Sequence, residues 1–455
     1  MTHTLTILCL LLSLCAAAQQ RDTVAMRGEL DTVQVVSQRV HRANEANAGA
    51  RVSHIDPDII SANKTRSLAE LLTDYTSVYI KSLGMGALST ASFRGASASQ
   101  TRVNWNGINI TPPMSGTFDF SQIPVFFTDG IDLYYGSNYT KGGTGAIGGS
   151  VNLHTDPVWA RGVSGKVLGE YGSYGTHTGG AQLNVGLARA SFKSRYYYQH
   201  SDNDYTYVNK ILTSVPFRER RKDADYTQWA AMQECYFRLS PYARLSAIGW
   251  YQESARMLPQ PLGIVNASHE KQWEVNARAY LGLDYARGEH ALRVKAAWLY
   301  YRQNYDTWYD GGLFDPEGNR NRSQTWQAVA DYTWTPSDTW ILSATATYTH
   351  DRIRVSSYAD VDSSAYILGD VVYDIPEVEP PLTKHRDVFS LQASAQWSPA
   401  EWLIVNGQYT FEQNDSRGVS TGSLGAVFNL LDKALQLKGT ASYNYRFPSM
   451  NDLYW

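Results

Sequence analysis

The chain has 455 residues, a formal net charge of -3 and a mean hydropathy of -0.36, and 13% of its residues are aromatic. The charge argues against a nucleic-acid partner, because domains that bind nucleic acids carry clustered basic residues. The hydropathy is too low for a bundle of transmembrane helices. It suits a transmembrane β-barrel, in which alternate strand residues face water and aromatic girdles mark the membrane interfaces.

The first 18 residues have the layout of a secretory signal peptide. An apolar run from Leu5 to Leu14 precedes three alanines that end at Ala18, and we expect cleavage near Gln19. The run is shorter than the roughly 20 apolar residues that a membrane-spanning helix needs. Two of the three cysteines lie in this peptide, so the mature chain is expected to keep Cys235 and to form no internal disulfide.

The stretch from Ser67 to Leu153 is Gly-rich and closely punctuated by turn signals, which predicts a compact domain of short elements. Its landmarks are a short helix with Leu68, Leu71 and Leu72, then Phe93-Arg94-Gly95, a hairpin at Asn106-Gly107, a strand at Ile131-Asp132-Leu133, and a closing run from Gly145 to Gly149. In this order the landmarks resemble the plug domain of TonB-dependent outer-membrane receptors. The resemblance implies structural roles in the plug for Arg94, Gly95, Gly107, Gly145, Gly148 and Gly149.

The same resemblance implies a mainly β protein, with an N-terminal plug domain inside a transmembrane antiparallel β-barrel. The expected boundaries are a signal peptide at 1–18, a periplasmic segment at 19–49, the plug at 50–156 and barrel strands at 162–455. The periplasmic segment would carry a TonB box at Asp31, Thr32, Val33, Gln34, Val35 and Val36. An extended segment of this kind can add a strand to the sheet edge of a partner. A first strand of the plug is the alternative interpretation of this patch.

From about Gly162 onward, apolar and polar residues alternate with period two, which is typical of strands with one lipid face and one lumen face. Cys235 falls on the apolar phase and is expected to face lipid rather than to react. One stretch shows the pattern clearly, with a shared apolar face at Trp326, Ala328, Ala330, Tyr332 and Trp334.

Short and long connections alternate along this region, as expected for periplasmic turns and extracellular loops. The long connections are predicted at 201–223, 254–268, 304–322 and 351–385, with a shorter one at 413–419. This count gives about 13 strands, whereas plugged transporters of the family have about 22. The sequence is therefore expected to be incomplete at its C-terminus.

The resemblance implies a receptor of the Gram-negative outer membrane that imports a scarce nutrient, either a ferric siderophore or cobalamin. Its expected partners are TonB with its inner-membrane energising complex and outer-membrane lipid. An alternative stays open, namely a truncated surface-binding or structural protein that does not transport. No enzymatic activity, catalytic residue, metal site or cofactor is predicted. The spacing of glycines from Gly143 to Gly148 fits a dinucleotide motif, but a strand-like stretch follows where that motif requires a helix.

Ligand contacts are expected at the plug apex and in the outer loops. The candidates are apolar or aromatic side chains that suit a bulky amphipathic ligand: Met85, Leu88, Met114, Phe118, Tyr205, Tyr207, Tyr305 and Tyr309. Two other interpretations stay open. The plug residues could pack against barrel loops, and the tyrosines could belong to an interface belt.

Overall fold

The computed structural model describes residues 51–136, 145–211, 216–260, 268–309, 317–359, 367–368, 371–372, 382–415, 417–431 and 434–454. The predicted signal peptide, the segment at 19–49 and its predicted TonB box at Asp31–Val36 lie outside these residues. Within the described ranges, no helix is both long enough and apolar enough to cross a bilayer.

The N-terminal domain, which we call the plug, is built on a five-stranded mixed sheet of order β1-β6-β7-β4-β5. Strands β4 and β7 are parallel, the other neighbours are antiparallel, and β2 and β3 form a separate hairpin. The elements are β1 (Arg51–His54), α1 (Pro57–Ala62), α2 (Leu68–Tyr75), β2 (Tyr79–Ser82), β3 (Ser89–Ser92), β4 (Thr101–Trp105), β5 (Ile108–Asn109), β6 (Gly130–Tyr135) and β7 (Gly149–His154).

Local sequence explains two of these elements. Helix α2 begins at a capping box, in which Ser67 accepts from the backbone N–H of Glu70 and the Glu70 side chain accepts from the backbone N–H of Ser67. Its leucines Leu68, Leu71 and Leu72 are fully buried, as an amphipathic helix on a core requires. The β4–β5 hairpin has positive φ at Asn106 (50°) and Gly107 (82°), which a type I′ turn needs. The predicted helix and hairpin are both confirmed.

Among the described residues from Gly162 to Tyr443, one antiparallel sheet has 13 strands, in the order β24-β23-β22-β21-β18-β17-β16-β15-β14-β13-β10-β9-β8. The predicted strand number is therefore confirmed. Two small hairpins, β11–β12 and β19–β20, stand outside the sheet. The elements are β8 (Gly162–Tyr171), β9 (His177–Gly186), β10 (Ala190–Ser201), β11 (Thr206–Asn209), β12 (Phe217–Arg220), β13 (Tyr226–Ser240), β14 (Ala243–Met257), β15 (Ser268–Arg287), β16 (His290–Tyr309), β17 (Glu317–Ser337), β18 (Trp340–Ala359), β19 (Ile367–Leu368), β20 (Val371–Val372), β21 (Leu382–Ala400), β22 (Leu403–Asn414), β23 (Gly418–Leu430), β24 (Leu435–Tyr443) and a final helix α3 (Met450–Tyr454).

The two faces of the large sheet differ, because one of them packs against the plug. We call the face toward the plug the inner face and the other the outer face. On β17 the inner residues Gln327, Val329, Asp331 and Thr333 are buried, whereas the outer residues Trp326, Ala328, Ala330, Tyr332 and Trp334 are exposed. The predicted alternation is confirmed on this strand. Cys235 follows the buried Glu234 and is half-buried on the outer phase of β13.

Strands on the long-connection side extend further than the sequence predicted. Tyr305 and Tyr309, assigned to a loop from the sequence, belong to β16, which ends at Tyr309. The next strand begins at Glu317 rather than beyond 322. The prediction was wrong because polar residues occupy both faces of these strand ends, so no apolar period marks them.

Candidate functional site at the plug–sheet interface

A four-residue ion cluster, the Asp129 cluster, joins the plug to the inner face of the sheet. Asp129 precedes β6, and its Oδ2 lies 2.7 Å from Lys193 Nζ and 2.5 Å from Arg195 Nη2, both on β10. Glu234 on β13 is the register partner of Lys193, and its carboxylate lies 3.5 Å from Lys193 Nζ and 3.1 Å from Arg195 Nε. Two cations thus face two anions. Lys193, Arg195 and Glu234 are almost completely buried, and 24% of the Asp129 side chain is exposed.

Backbone carbonyls of the plug complete this cluster. Lys193 Nζ donates to Asp156 O at 2.5 Å, and Arg195 Nη1 donates to Phe126 O at 2.8 Å. Burial alone would raise the pKa of Asp129, but the charges of Arg195 and Lys193 outweigh it and hold that pKa well below its ordinary value. The carboxylate is therefore ionised at neutral pH and attracts both cations.

Lys64 adds a third basic side chain beside the Asp129 cluster. Its Nζ donates to Thr128 O at 2.5 Å, and Val125 O lies at 3.4 Å. Burial lowers the pKa of Lys64 to about 8, and the carboxylate of Asp129 opposes that shift. This part of the plug therefore has a titratable amine close to physiological pH.

An aromatic contact lies further along the inner face. Trp105, at the end of β4, is 1% exposed, and its ring meets Trp250 at 5.5 Å and Tyr280 at 5.9 Å in edge-to-face geometry. Phe127 stacks on Trp250 with centroids 5.5 Å apart, and the guanidinium of Arg278 lies 4.2 Å from the Trp250 ring. Aromatic pairs of this geometry contribute about 0.5–1.5 kcal/mol beyond area burial. The plug is therefore held by packing as well as by charge.

A second polar contact involves the plug turn that contains Gly86. Arg256 on β14 donates to Asp119 Oδ2 at 2.8 Å and to Gly86 O at 3.1 Å, and it lies 3.4 Å from Glu274 on β15. Nearby, Ser254 Oγ donates to Gln122 Oε1 at 2.6 Å. The carbonyl of Gln122 accepts from the side-chain amides of Gln228 and Gln252. Hydrogen-bond acceptors of the plug at Gly86, Asp119 and Gln122 thus accept from side chains of the sheet.

A cleft separates the plug from strands β17, β18, β21 and β22 and reaches residues 446–449. On its sheet side, Asp351 accepts from Arg386 at 2.8 Å and from Thr325 at 2.6 Å. On its plug side lies Arg102. Burial lowers the pKa of its guanidinium, and the carboxylate of Glu412 offsets only part of that shift. The cleft is lined with groups that can bind polar or charged atoms of a ligand.

The edge of the plug sheet carries a histidine–aspartate–histidine bridge. His54 on β1 lies 2.7 Å from Asp132 on β6, and His154 on β7 lies 2.6 Å from the same carboxylate. Burial would raise the pKa of Asp132, but hydrogen bonds and charge from His154 and His54 outweigh it and lower that pKa. Strand β1 is thereby tied to the sheet immediately after the segment that precedes residue 51.

The structure divides the predicted ligand contacts into separate groups. Met85 is half-buried and Leu88 is 42% exposed, and Asn203 donates to Met85 O at 3.2 Å, which brings this turn beside the β10–β11 connection. Tyr205 meets Tyr207 at 6.5 Å there, and the hydroxyl of Tyr207 donates to Glu219 at 2.8 Å. These four predicted residues therefore share one region.

The other predicted contacts lie elsewhere. Met114 is half-buried, and its carbonyl accepts from the backbone N–H of Asn451 at 3.0 Å. Phe118 is 5% exposed and packs edge-to-face on Phe120 in the plug core, so its ring contributes little accessible surface for a ligand. Tyr305 is on the inner phase of β16, opposite Gln272, and Tyr309 ends that strand.

The predicted structural residues of the plug occupy tight positions. Arg94, Gly95, Gly107 and Gly145 have positive φ, between 52° and 107°. At Gly148 and Gly149 the neighbouring atoms lie too close for a side chain. A Cβ added to Gly148 would lie 2.7 Å from Ala96 Cβ, and one added to Gly149 would lie 2.8 Å from Phe93 Cδ1. The second of these contacts is with an aromatic ring that is itself 1% exposed and cannot move aside.

Gly149→Ala is expected to lower the free energy of unfolding by about 1–3 kcal/mol, because the added methyl group overpacks the site against Phe93 and the neighbouring backbone. Gly130→Ala is the matched control, since its nearest side-chain atom would lie at an ordinary 3.6 Å. We expect that control to stay within about 0.5 kcal/mol of wild type. Urea unfolding in detergent measures both, and equal losses would contradict the packing argument.

The sequence did not reveal the interface residues Lys193, Arg195 and Glu234. The signal available was two cations two positions apart in the middle of a strand, with an acid near the middle of the next long strand. Charges in the interior of a membrane strand belong on the face away from lipid. That placement could have predicted buried charge, but it could not have identified Asp129 as the partner.

Comparison with known proteins gives results that agree with this architecture. Residues 44–150 match the family model described as TonB-dependent Receptor Plug Domain. The vitamin B12 transporter BtuB of Photobacterium profundum is 22% identical over 415 residues, which cover 90% of this chain and 61% of that protein. The chain thus spans less than two thirds of this relative's length.

Solved structures of similar fold include the copper transporter OprC, with a TM-score of 0.70 and 12% identity over 89% of this chain and 65% of that one. The ferric enterobactin receptor PfeA of Pseudomonas aeruginosa has a TM-score of 0.67 and 13% identity over 90% of this chain and 64% of that one. At this identity the likeness shows the fold, a plug packed on a large antiparallel sheet.

Proposed function

We propose that this chain, which belongs to the TonB-dependent outer-membrane receptors, binds a scarce nutrient at the cell surface and imports it into the periplasm. The observation that carries the proposal is the polar character of the plug–sheet interface, where Asp129, Asp119 and Gln122 meet charged or amide side chains of the sheet. A neutral hydrogen bond is exchanged with water at a net cost of about 0.5–1.5 kcal/mol, and one to a charged group at about 1.5–3 kcal/mol. Such an interface allows a plug to rearrange in a way that a purely apolar one would resist.

The proposed ligand is a ferric siderophore or cobalamin. Relatives of this chain include a vitamin B12 transporter and a ferric enterobactin receptor, which support this ligand class. We place the first ligand contacts at Met85, Leu88, Tyr205 and Tyr207, because they share one region, in which Leu88 and Tyr205 are exposed and the other two are half-buried. Met114, beside the polar cleft, is a further candidate.

Energy for import would come from TonB, through the segment Asp31–Val36. This segment lies 15 residues or more before β1, and β1 is the edge strand of the plug sheet. A partner that pairs with Asp31–Val36 would therefore be connected directly to that edge. The relatives are transporters and receptors rather than enzymes, and the proposal includes no catalytic step.

Deletion of Asp31–Val36 is expected to abolish energy-dependent uptake of the ligand and to leave surface binding unchanged. The matched control deletes six other residues of the same segment, 40–45, and should keep uptake. Cells that express each variant are assayed for binding and accumulation of labelled cobalamin and of ferric siderophores. Uptake that survives the first deletion would contradict the role proposed for Asp31–Val36. Binding without any energy-dependent uptake by the undeleted chain would favour the alternative of a surface-binding protein that does not transport. Absence of binding to either ligand class would contradict the proposed ligands.

A further inference from the structure

A row of arginines crosses the outer face of the large sheet. Arg302 on β16 is the register partner of Arg322 on β17, which is in turn the partner of Arg354 on β18. Arg352 lies two positions from Arg354 on the same face. Arg322, Arg352 and Arg354 are exposed, whereas Ile353, on the alternate phase of β18, is completely buried. We call these four residues the arginine row.

The arginine row has a defined height above the aromatic girdle of the same face. Trp298 and Trp326 are register partners at the exposed girdle, and Arg322 lies four positions beyond Trp326 toward the long connections. A strand tilted by about 45° advances roughly 2.4 Å per residue along the membrane normal, so Arg322 stands roughly 10 Å beyond the tryptophans. Arg352 stands roughly 5 Å beyond them by the same arithmetic. Aromatic girdles sit at the lipid headgroups, so the row reaches the outer part of that layer.

Within the part of the chain that the structure describes, the charge of three of these arginines is not compensated. Arg322, Arg352 and Arg354 form no ion pair with any residue that the structure describes. On this face the carboxylate of Asp387, on β21, accepts from the Tyr348 hydroxyl at 2.5 Å and lies 2.8 Å from His350 Nδ1. Like charges directly opposite each other destabilise an antiparallel pair. An external anion would remove that repulsion.

We infer that the arginine row binds phosphate groups of lipids in the outer leaflet. The guanidinium is suited to this role because it is always charged, binds phosphate oxygens in bidentate fashion and carries an apolar stem that can lie along the acyl chains. The guanidinium of Arg302 lies 4.0 Å from the ring of Trp273 on the neighbouring strand, so this side chain extends along the outer face of the sheet. The inference rests on the outer-membrane placement proposed above, and it is independent of which nutrient is imported.

The test uses the full chain reconstituted in neutral phosphatidylcholine vesicles and in vesicles that also contain phosphatidic acid. The double variant R322Q/R354Q is compared with R218Q/K222Q, which removes the same charge from the exposed β12 hairpin and the residue just beyond it. We expect wild type and the control to retain phosphatidic acid through purification. R322Q/R354Q should retain it on the order of 10-fold to 30-fold more weakly, given about 1 kcal/mol for each basic residue near an anionic surface.

The possible outcomes separate this inference from the proposed function. If both double variants insert into neutral vesicles and also retain phosphatidic acid equally well, the arginine row does not bind lipid phosphate. If inorganic phosphate stabilises the detergent-solubilised protein against unfolding as strongly as phosphatidic acid does, the row binds free phosphate and not specifically a lipid. Failure to insert into any vesicle would instead overturn the membrane placement on which both proposals rest. Added salt should weaken wild-type retention and have little effect on R322Q/R354Q.

Discussion

Replacement of Asp129 by Asn is expected to lower the free energy of unfolding by about 3–5 kcal/mol. Asn keeps the shape of the side chain but removes its charge, which leaves the almost completely buried Lys193 and Arg195 with one anion, Glu234. A buried cation without its partner is far costlier than the loss of a single hydrogen bond. Urea unfolding of the detergent-solubilised protein, followed by circular dichroism, measures the loss.

The control for this prediction is Asp74→Asn. Asp74 also pairs with an arginine, at 2.6 Å from Arg66, but both side chains are partly exposed. Its replacement should therefore lower the free energy of unfolding by about 1 kcal/mol or less.

The dependence of stability on pH provides a second check of the Asp129 prediction. Because the pKa of Asp129 is lower in the folded protein than its ordinary 3.8, the stabilisation is complete above that pH and is lost as the pH falls through the folded value. Wild type should therefore lose more stability than Asp129→Asn on acidification below 3.8; parallel losses would contradict the ion-cluster argument.

Trp105→Ala is expected to lower the free energy of unfolding by about 3–5 kcal/mol as well, for a different reason. The substitution empties the space between the plug and the rings of Trp250 and Tyr280, and neither strand can collapse into it without breaking its ladder. The near-ultraviolet circular dichroism from the Trp105–Trp250 contact should disappear in the same variant. Both quantities are read from one denaturation experiment.

Two further variants define what Trp105 contributes. The Nε1 hydrogen of Trp105 has no acceptor among the described residues, so Trp105→Phe should keep most of the stability. Tyr79→Ala removes an aromatic ring of the plug that is 67% exposed, and we expect a change within about 0.5 kcal/mol. A loss for Trp105→Phe as large as for Trp105→Ala would point to a polar role for the indole and against the packing argument.

The large sheet could be predicted from the sequence because its two faces meet different surroundings. Stretches such as 326–334 alternate apolar and polar side chains, and the structure puts those residues on opposite faces. The short helix with Leu68, Leu71 and Leu72 and the Asn106-Gly107 turn were also predicted, since each depends on a local arrangement of backbone and neighbouring side chains. Where chemistry is local or periodic, sequence was sufficient.

The remaining features depend on contacts between distant parts of the chain. Phe118 was expected to meet a ligand because the resemblance puts it in an apical loop, but its ring packs on Phe120 in the plug core. Strand pairing continues to Tyr309 beyond the apolar band, where hydrogen bonds rather than side-chain burial sustain it. The Asp129 cluster required knowledge of which plug surface meets β10, which no periodicity contains.

The length of chain between the partners at the interface affects the order of assembly. Lys193 follows Asp129 by 64 residues, and Gln327, which accepts from the backbone N–H of Asn109, follows that residue by 218. During synthesis the plug therefore emerges before the strands that will cover it. Its charged surface is hydrated during that interval, and hydrated charge does not promote association between unfinished chains as exposed apolar surface does. The same groups that anchor the finished plug thus keep the newly made one soluble while its sheet is still being made.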